Sequence, residues 1–218
     1  MCHLPTEVEA KFLPDAQAWH TLPSLTTIGA FDLDSSPPLE VQRNRYFDSA
    51  NFVLRQQHYG LRIREIGARR VATLKGPTAF VDGVHRRAEW EVDIGPDDAI
   101  TSWPAGEVRD RALALLAGAA VAEILTIATN RRRIIARHAG VLVAEIALDD
   151  ARIDAGGRSE QFHEIEAELL PGAALAQFEA LIAALRTRFT LQPSAVTKLA
   201  RGMQLLNGDI IDDHHTAG

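Results

Sequence analysis

The sequence predicts an α+β fold in which eight antiparallel strands form one sheet, able to close on itself, with helices packed against it. Eight segments alternate polar and apolar residues, most of them are joined by short connections, and four other segments show helical spacing. Alternation turns successive side chains of a strand to opposite faces. If the apolar faces pack outward on the helices, the eight strands enclose a polar tunnel.

The predicted elements follow one another along a single domain, which we place at residues 1–208. Strands are predicted at 7–12, 43–48, 60–66, 70–75, 85–92, 130–137, 141–148 and 162–169. Helices are predicted at 15–22, 107–116, 173–188 and 194–206. The third helix has the clearest pattern, because its apolar residues between Leu175 and Leu185 form one stripe. Ser194 is the expected N-cap of the last helix.

The bulk composition is that of an ordinary globular protein. The chain has 218 residues, of which 46% are hydrophobic and 24% charged, so it can bury a substantial core. The most apolar stretch, 112–125, is shorter than the ~20 residues of a membrane span, and we expect a packed helix there. The tail at 209–218 is expected to be disordered.

Charge and cysteine content exclude several classes of protein. The single cysteine, Cys2, rules out an internal disulfide and a cysteine-based zinc site, and it suits a reducing cytosol. No apolar run precedes Glu7, so we expect no signal peptide and a cytoplasmic location. The net charge of −6 argues against a nucleic-acid binder. It leaves room for an anionic ligand, because positive charge can be concentrated inside a cleft.

Charged residues at every second position open the first strand. Glu7, Glu9 and Lys11 share one face of this strand. Two carboxylates beside an ammonium group suit a divalent cation and the anion that accompanies it. Lys11 is one of only three lysines in the chain, and the other two, Lys75 and Lys198, also fall within charged patterns.

The polar faces of the predicted strands separate by sign of charge. In the last strand, Glu164, Glu166 and Glu168 lie along one line with successive Cα atoms ~6.6 Å apart. Carboxylates so arranged repel one another unless water or a cation neutralises them, and Mg2+ and Mn2+ prefer carboxylate oxygens. The second, third and sixth predicted strands carry bases instead, which suit phosphate oxygens. An acidic wall facing a basic wall indicates a site for metal-bound polyphosphate.

Beyond the opening Glu-x-Glu-x-Lys pattern, seven motifs follow in order. They are Tyr46-Phe47-Asp48, Gly60-Leu61-Arg62-Ile63-Arg64, Thr73-Leu74-Lys75-Gly76, His85-Arg86-Arg87-Ala88-Glu89, Glu145-Ile146-Ala147-Leu148-Asp149, Glu164-Ile165-Glu166-Ala167-Glu168-Leu169 and Thr197-Lys198-Leu199-Ala200-Arg201-Gly202. Together they resemble the triphosphate tunnel metalloenzymes, also called the CYTH superfamily, over about 6–207. The nearest resemblance is to the CYTH domain of bacterial inorganic triphosphatases, without the helical CHAD domain that often follows it there.

The resemblance implies an eight-stranded antiparallel barrel that forms a tunnel, with helices outside. It also implies a divalent cation, Mg2+ or Mn2+, whose ligands would be Glu7, Glu9, Glu164 and Glu166, with Glu168 and Glu145 as further candidates. The implied triphosphate-binding residues are Lys11, Arg62, Arg64, Lys75, Arg87, Arg131, Arg133, Lys198 and Arg201. The register of the three arginines at 131–133 stays open, and for Glu145, Glu89 and Arg201 a structural salt bridge is an equal alternative. Among all of these, Glu7, Glu9, Lys11 and Lys75 are the expected catalytic residues.

The implied reaction is metal-dependent hydrolysis of a small triphosphate, with inorganic tripolyphosphate giving diphosphate and phosphate. The sequence shows no P-loop and no Ser/His/Asp set, and such hydrolysis needs neither. The alternatives are a thiamine triphosphatase, a class IV adenylyl cyclase and a non-catalytic polyphosphate-binding module. Acidic residues on both the first and the last strand favour an enzyme over the binding module.

Two further groups of residues are expected to be structural. Tyr46 and Asp48 predict a buried aromatic side chain and a turn-forming carboxylate at the end of a strand. His85 and His163 lack metal-ligand spacing to another histidine. We therefore expect both to be hydrogen-bonded structural histidines.

Overall fold

The computed structural model describes residues 6–81 and 84–208. In chain order its strands are β1 (Thr6–Pro14), β2 (Thr27–Ile28), β3 (Phe31–Asp34), β4 (Glu40–Ser49), β5 (Gly60–Ile66), β6 (Arg69–Val81), β7 (Val84–Asp93), β8 (Val121–His138), β9 (Val141–Ala155), β10 (Arg158–Leu169) and β11 (Leu191–Pro193). Its helices are α1 (Ala16–Thr21), α2 (Val53–Gln56), α3 (Glu107–Leu116), α4 (Leu175–Arg188) and α5 (Lys198–Asn207). The tail expected to be disordered, 209–218, lies outside the described residues.

Eight strands within the described residues close into an antiparallel barrel. Their order is β8-β4-β5-β6-β7-β1-β10-β9, and pairing of β9 with β8 closes the ring. The hairpin β2-β3 extends the sheet along β8 beyond the end of β4, and β11 pairs with β1. Each of the eight predicted strand segments lies within one barrel strand. The predicted α+β fold, an eight-stranded antiparallel barrel with flanking helices, is therefore confirmed.

Most apolar faces of the barrel strands point outward and are buried beneath the helices, whereas Tyr46 and Ile127 face the interior and pack near α5. Ile146 and Ile165 pack with Phe178 and Leu185 of α4, and all four side chains are fully buried. Burying one such side chain contributes about 1.5–3 kcal/mol. A second core joins the outer face of β5 and β6 to α3. Because the apolar faces are used for this packing, the alternating polar residues point into the barrel.

The long apolar stretch at 112–125 is not one helix, and that expectation was wrong. Helix α3 ends at Leu116, and Ala117 and Gly118 then adopt left-handed conformations with φ of +48° and +86°. Strand β8 begins at Val121 and buries alternate residues from Leu125 to Thr129, which is a strand period rather than a helical one. None of the described helices is long and apolar enough to cross a membrane.

The last helix begins later than predicted. Thr197, not Ser194, is the N-cap of α5, because its side chain accepts a hydrogen bond from the Ala200 amide at 3.1 Å. The Ser194 amide instead donates to the Lys11 carbonyl oxygen in β1 at 2.9 Å. The connection from 194 to 197 therefore runs from the barrel wall to the start of α5.

Candidate active site

The barrel encloses a cavity of about 1150 Å³. Charged side chains from seven strands and from α5 line it. The acidic residues of this lining are Glu7, Glu9, Glu89, Glu91, Asp149, Glu166 and Glu168. Its lysines and arginines that belong to the strands or to α5 are Lys11, Arg62, Arg64, Lys75, Arg87, Arg131 and Lys198. The structure thus brings most of the sequence-predicted site residues together in one space.

Strand β1 supplies the three charges of the opening motif. Glu7 accepts from Arg87 Nε at 2.5 Å and lies 3.2 Å from Lys75 Nζ. Glu9 accepts from Arg87 at 2.8 Å and lies 3.2 Å from Lys11 Nζ. Period-two geometry explains this, since residues 7, 9 and 11 of one strand face the same interior while Ala10 and Phe12 are buried outside it.

A second acidic group surrounds Lys198. Asp149, Glu164 and Glu166 each place one carboxylate oxygen within 4.8 Å of the others. The Lys198 ammonium lies between them, 2.9 Å from Asp149 and 2.8 Å from Glu166, and it also donates to Glu164. Arg131 binds Asp149 through two hydrogen bonds of 2.8 and 2.6 Å. This cluster combines three buried carboxylates with two largely buried cations at the cavity wall.

Asp149 was not among the predicted site residues, although it is completely buried. Its sequence signal was its alternation with Glu145, which places both side chains on the inner face of β9. Asp149 lies opposite Arg131 of β8 and Glu164 of β10, and this register places it in the cluster around Lys198. Pairing across strands is not visible in the local pattern, which explains the omission.

Among the strand arginines that line the cavity, Arg64 differs from the others because no carboxylate in the described part of the chain pairs with it. Arg62 donates to Thr73 at 3.1 Å and lies 3.4 Å from Glu91. Arg64 donates to Asn44 at 3.0 Å and makes no direct ion pair within the described part of the chain. Burial lowers the pKa of Arg64 to about 10, and the positive charges of Arg62 and Arg131 add to this effect. An anion beside Arg64 would therefore be stabilised.

The carboxylates divide into two electrostatic types. Burial alone raises the pKa of Glu166, but Lys11, Lys198 and Arg131 outweigh it and hold that pKa well below its usual range. Burial also opposes ionisation of Glu7. The positive charges of Lys75 and Arg87 outweigh this effect and lower the pKa of Glu7. In contrast, burial raises the pKa of Glu164 to about 7. Burial with the nearby charges of Glu7 and Glu9 does the same for Glu168.

The open register at 131–133 is resolved by the β8-β9 pairing. Arg131 faces the cavity opposite Asp149, and Arg132 is exposed on the other face. Arg133 shares the inner face, but its nearest carboxylate is Glu145 at 3.7 Å, and both side chains lie outside the cavity lining. These two residues are therefore placed beside the site and not within it.

Three other residues for which the sequence predicts a role make mainly structural contacts. Arg201 donates to Glu160 at 2.6 Å and stacks 4.5 Å above the Phe162 ring, outside the cavity lining. Asp48 accepts backbone hydrogen bonds from residues 49, 54 and 55, so the expected turn-forming carboxylate is confirmed. Tyr46 is buried as expected, but it also lines the cavity, which the sequence interpretation missed.

The chain is similar to one known family and to several solved structures. The family model described as the CYTH domain matches residues 5–203. A proposed adenylyl cyclase from Hippeastrum, reported to have a dominant triphosphatase activity, has a TM-score of 0.68 and 19% identity, covering 96% of this chain and 100% of that one. A proposed adenylate cyclase from Bacillus halodurans has a TM-score of 0.63 and 24% identity, covering 90% and 97% of the two chains. A protein from Pyrococcus horikoshii has a TM-score of 0.57 and 18% identity, covering 91% and 99%. At these identities the structures establish a common fold, and the match of the family model over most of its length shows that this chain belongs to the CYTH domain family.

Proposed function

We propose that this protein hydrolyses a triphosphate in a reaction that depends on Mg2+ or Mn2+, with inorganic tripolyphosphate as the substrate and diphosphate and phosphate as the products. The observation that carries the proposal is the convergence of cationic and acidic side chains on one cavity. Cations enter from β1, β5, β6, β7, β8 and α5, so they can reach a bound anion from several sides of the barrel. The Hippeastrum protein, reported as a triphosphatase, has the same fold and supports this proposal.

The cations of the cavity match an extended chain of phosphate groups. Lys75 and Arg87 lie beside the acidic residues of β1, Arg62 and Arg64 follow each other along β5, and Lys198 enters from α5. Guanidinium groups bind two phosphate oxygens at once, and lysines act as point charges. Together these groups would hold the three phosphoryl groups in a line and neutralise charge on their equatorial oxygens.

The acidic residues fit a hard divalent cation. The register between β1 and β10 sets Glu9 opposite Glu168 and Lys11 opposite Glu166. Glu7, Glu9, Glu166 and Glu168 would therefore hold the cation, with Asp149 and Glu164 adjoining them. Burial, together with the negative charges of Glu7 and Glu9, raises the pKa of Glu168 to about 7, and a bound cation would relieve both effects. When bound, Mg2+ or Mn2+ supplies charge neutralisation at phosphate oxygens and acidifies a coordinated water.

The side chains of the chain itself provide positioning and electrostatic stabilisation. Buried ion pairs and hydrogen bonds hold Lys11, Arg87 and Arg131 in place before substrate arrives, so little reorganisation is needed. The enclosed cavity limits competing water and strengthens every charge interaction in it. A carboxylate of the cavity that does not bind the cation would accept the proton of the attacking water.

A nucleoside triphosphate is the second candidate substrate. The cavity also reaches Tyr59, Leu199 and Met203, which offer an aromatic ring and apolar surface to an organic group. Inorganic tripolyphosphate leaves that surface unused, whereas ATP could occupy it. Cyclisation of ATP is therefore the activity that the test has to separate from hydrolysis.

The test measures phosphate release from tripolyphosphate, ATP and thiamine triphosphate in parallel, with Mg2+, with Mn2+ and with a chelator, together with cyclic AMP formed from ATP. We expect metal-dependent release that is fastest from tripolyphosphate. The Glu9→Gln variant serves as the control for contaminating phosphatases. Cyclic AMP as the main product would replace the proposal by a cyclase. Binding of tripolyphosphate with no release from any substrate would replace it by a polyphosphate-binding module.

A further inference from the structure

His85 connects the barrel wall to the segment that precedes α5. Its side chain is 1% exposed, and its Nε2 atom lies 2.9 Å from the Ser194 carbonyl oxygen. Since a carbonyl oxygen only accepts hydrogen bonds, Nε2 carries the proton and donates it. This contact joins two residues that are far apart in sequence, one in β7 and one just after β11.

Ser194 is held from two neighbouring strands at once. Its carbonyl accepts from His85 in β7, and its amide donates to the Lys11 carbonyl in β1 at 2.9 Å. Both contacts are buried, with Ser194 only 5% exposed. The backbone at this position is therefore fixed relative to the strands that carry Glu9, Lys11 and Arg87.

Ser194 is followed closely by the residue that reaches into the cavity. Thr197 caps α5, and Lys198 is the first residue of that helix. The Lys198 ammonium lies 2.9 Å from Asp149 and 2.8 Å from Glu166. Only residues 195 and 196 lie between Ser194 and the Thr197 cap, so we expect a shift of Ser194 to move Lys198 as well.

The second nitrogen of the His85 ring makes no hydrogen bond with any described residue. That atom, Nδ1, is buried, and the ring lies 4.7 Å from the Phe80 ring. Burial lowers the pKa of His85, while the Ser194 carbonyl opposes this and the charge of Lys11 adds to it. The neutral ring thus makes one directed hydrogen bond, and that bond goes to Ser194.

We propose that His85 is a positioning residue for the triphosphate site, which acts through Ser194 to set where the Lys198 ammonium lies. The inference rests on the proposed function in one respect, namely that Lys198 contacts the anionic substrate. His85 itself lies outside the cavity lining, and Glu9 is its partner across the β1-β7 pairing, so the Lys198 background is needed to separate an effect through Ser194 from one through Glu9.

A double-mutant cycle tests this coupling. His85→Leu and His85→Gln are made in the wild-type chain and in Lys198→Met, and kcat, KM and calorimetric affinity are measured with tripolyphosphate. We expect His85→Leu to raise KM and Kd about 10-fold with a smaller change in kcat, because losing one buried hydrogen bond costs about that factor. His85→Gln should stay within about 2-fold, since its amide can donate to the same carbonyl. In Lys198→Met, the effect of His85→Leu should nearly disappear.

The outcome that overturns the inference is an equal loss from His85→Leu in both backgrounds. His85 would then act only through general stability. Thermal unfolding of every variant identifies one that fails to fold, and His20→Leu, at an exposed position, is the matched control. If His85→Leu does not fold, the same cycle is read with His85→Gln against His85→Asn, whose shorter side chain does not reach the Ser194 carbonyl.

A readout that needs no substrate separates this inference from the proposed function. Amide hydrogen exchange is followed over residues 194–200 in the wild-type chain and in His85→Leu. We expect the Ser194 amide, bonded to Lys11, to exchange at least about 10-fold faster in the variant. Unchanged exchange overturns the positioning role of His85, whether or not the protein hydrolyses any triphosphate. A wild-type protein that neither binds nor hydrolyses tripolyphosphate overturns the proposed function alone.

Discussion

Lys11 Nζ lies 2.6 Å from Glu166 Oε1, across the paired strands β1 and β10, and both residues are nearly excluded from solvent. Burying two charges costs several kcal/mol each, and their attraction offsets this only when the geometry is good. A core built for stability alone would use apolar residues here. The charges inside this barrel are therefore better explained by the proposed binding of an anion and a cation than by a contribution to stability.

Glu9→Gln should remove metal-dependent turnover while retaining the fold. Glu9 is 3% exposed and accepts from Arg87, and a glutamine of the same shape can still accept that hydrogen bond. The lost charge weakens cation binding, so we expect phosphate release from tripolyphosphate to fall on the order of 100-fold.

The control for Glu9→Gln is Glu107→Gln. Glu107 is a surface residue whose carboxylate pairs with Arg111 at 2.5 Å. It should leave phosphate release unchanged. Near wild-type activity of Glu9→Gln at saturating Mg2+ would remove Glu9 from the site. Glu9→Ala is a poorer test, because it empties a buried position and takes one of two carboxylate partners from each of Arg87 and Lys11, which keep Glu7 and Glu166, so a loss of stability would be mixed with the loss of the ligand.

Lys75→Met should weaken binding of tripolyphosphate more than binding of diphosphate. Lys75 Nζ lies 2.8 Å from Glu89 and 3.2 Å from Glu7. We expect the third phosphoryl group of tripolyphosphate to bind beside this ammonium group. A diphosphate can occupy the remaining cations and needs this contact less. We expect KM for tripolyphosphate to rise about 10- to 100-fold, since a charged hydrogen bond contributes about 1.5–3 kcal/mol. Lys75→Arg is the charge-conserving control, and equal losses for both anions would contradict the assignment.

The faces of the strands could be predicted from the sequence, because the period of two is a local property. Glu7, Glu9 and Lys11 needed only their spacing to be placed on one inner face, and the cavity contains all three. The short elements could not be predicted in the same way. The two residues of β2 and the four of α2 are too few to show any period.

Contacts between distant strands account for the remaining differences. Which arginine of 131–133 faces the cavity depends on the register of β8 against Asp149, and three identical residues carry no local signal for it. Arg201 belongs to a helix, and packing of α5 on β10 turns it toward Glu160 and Phe162. Sequence motifs identify the charged residues, but tertiary packing decides which of them share one cavity.

Gly202→Ala should destabilise the protein, although alanine normally stabilises a helix relative to glycine by about 1 kcal/mol. A Cβ atom at Gly202 would lie 2.6 Å from Leu125 Cδ2 and 3.4 Å from Ile153 Cγ2. Helix α5 would then move away from the barrel, and we expect a loss of about 1–3 kcal/mol in the free energy of unfolding measured with urea. Gly95→Ala, with no atom within 4 Å, should be neutral. Recovery in Gly202→Ala combined with Leu125→Ala would confirm the clash, and no loss in Gly202→Ala would show that α5 is not closely packed there.

Asp149→Asn should lower stability at neutral pH. Burial opposes ionisation of Asp149, but Arg131 and Lys198 prevail and lower its pKa. A lowered pKa stabilises the fold at every pH above the ordinary value of 3.8, and this contribution is lost only as the pH falls through the native pKa. Removing the charge leaves two buried cations short of a partner, so we expect a loss of about 3 kcal/mol at both pH 5 and pH 8, measured by urea unfolding with a chelator present.

Glu164→Gln should have the opposite effect, and only at the higher pH. The pKa of Glu164 is raised from 4.5 to about 7, mainly by burial, so between these values the native state keeps a proton that the unfolded chain releases. The stability of the wild-type chain therefore falls as the pH rises through this window. Glutamine resembles the protonated carboxyl, and we expect Glu164→Gln to match wild type near pH 5 and to exceed it by about 1–3 kcal/mol at pH 8. A variant less stable than wild type at pH 8 would show that Lys198 holds Glu164 ionised. In that case all three carboxylates around Lys198 are charged at neutral pH, and the attraction of the buried cations outweighs the cost of burying the third charge.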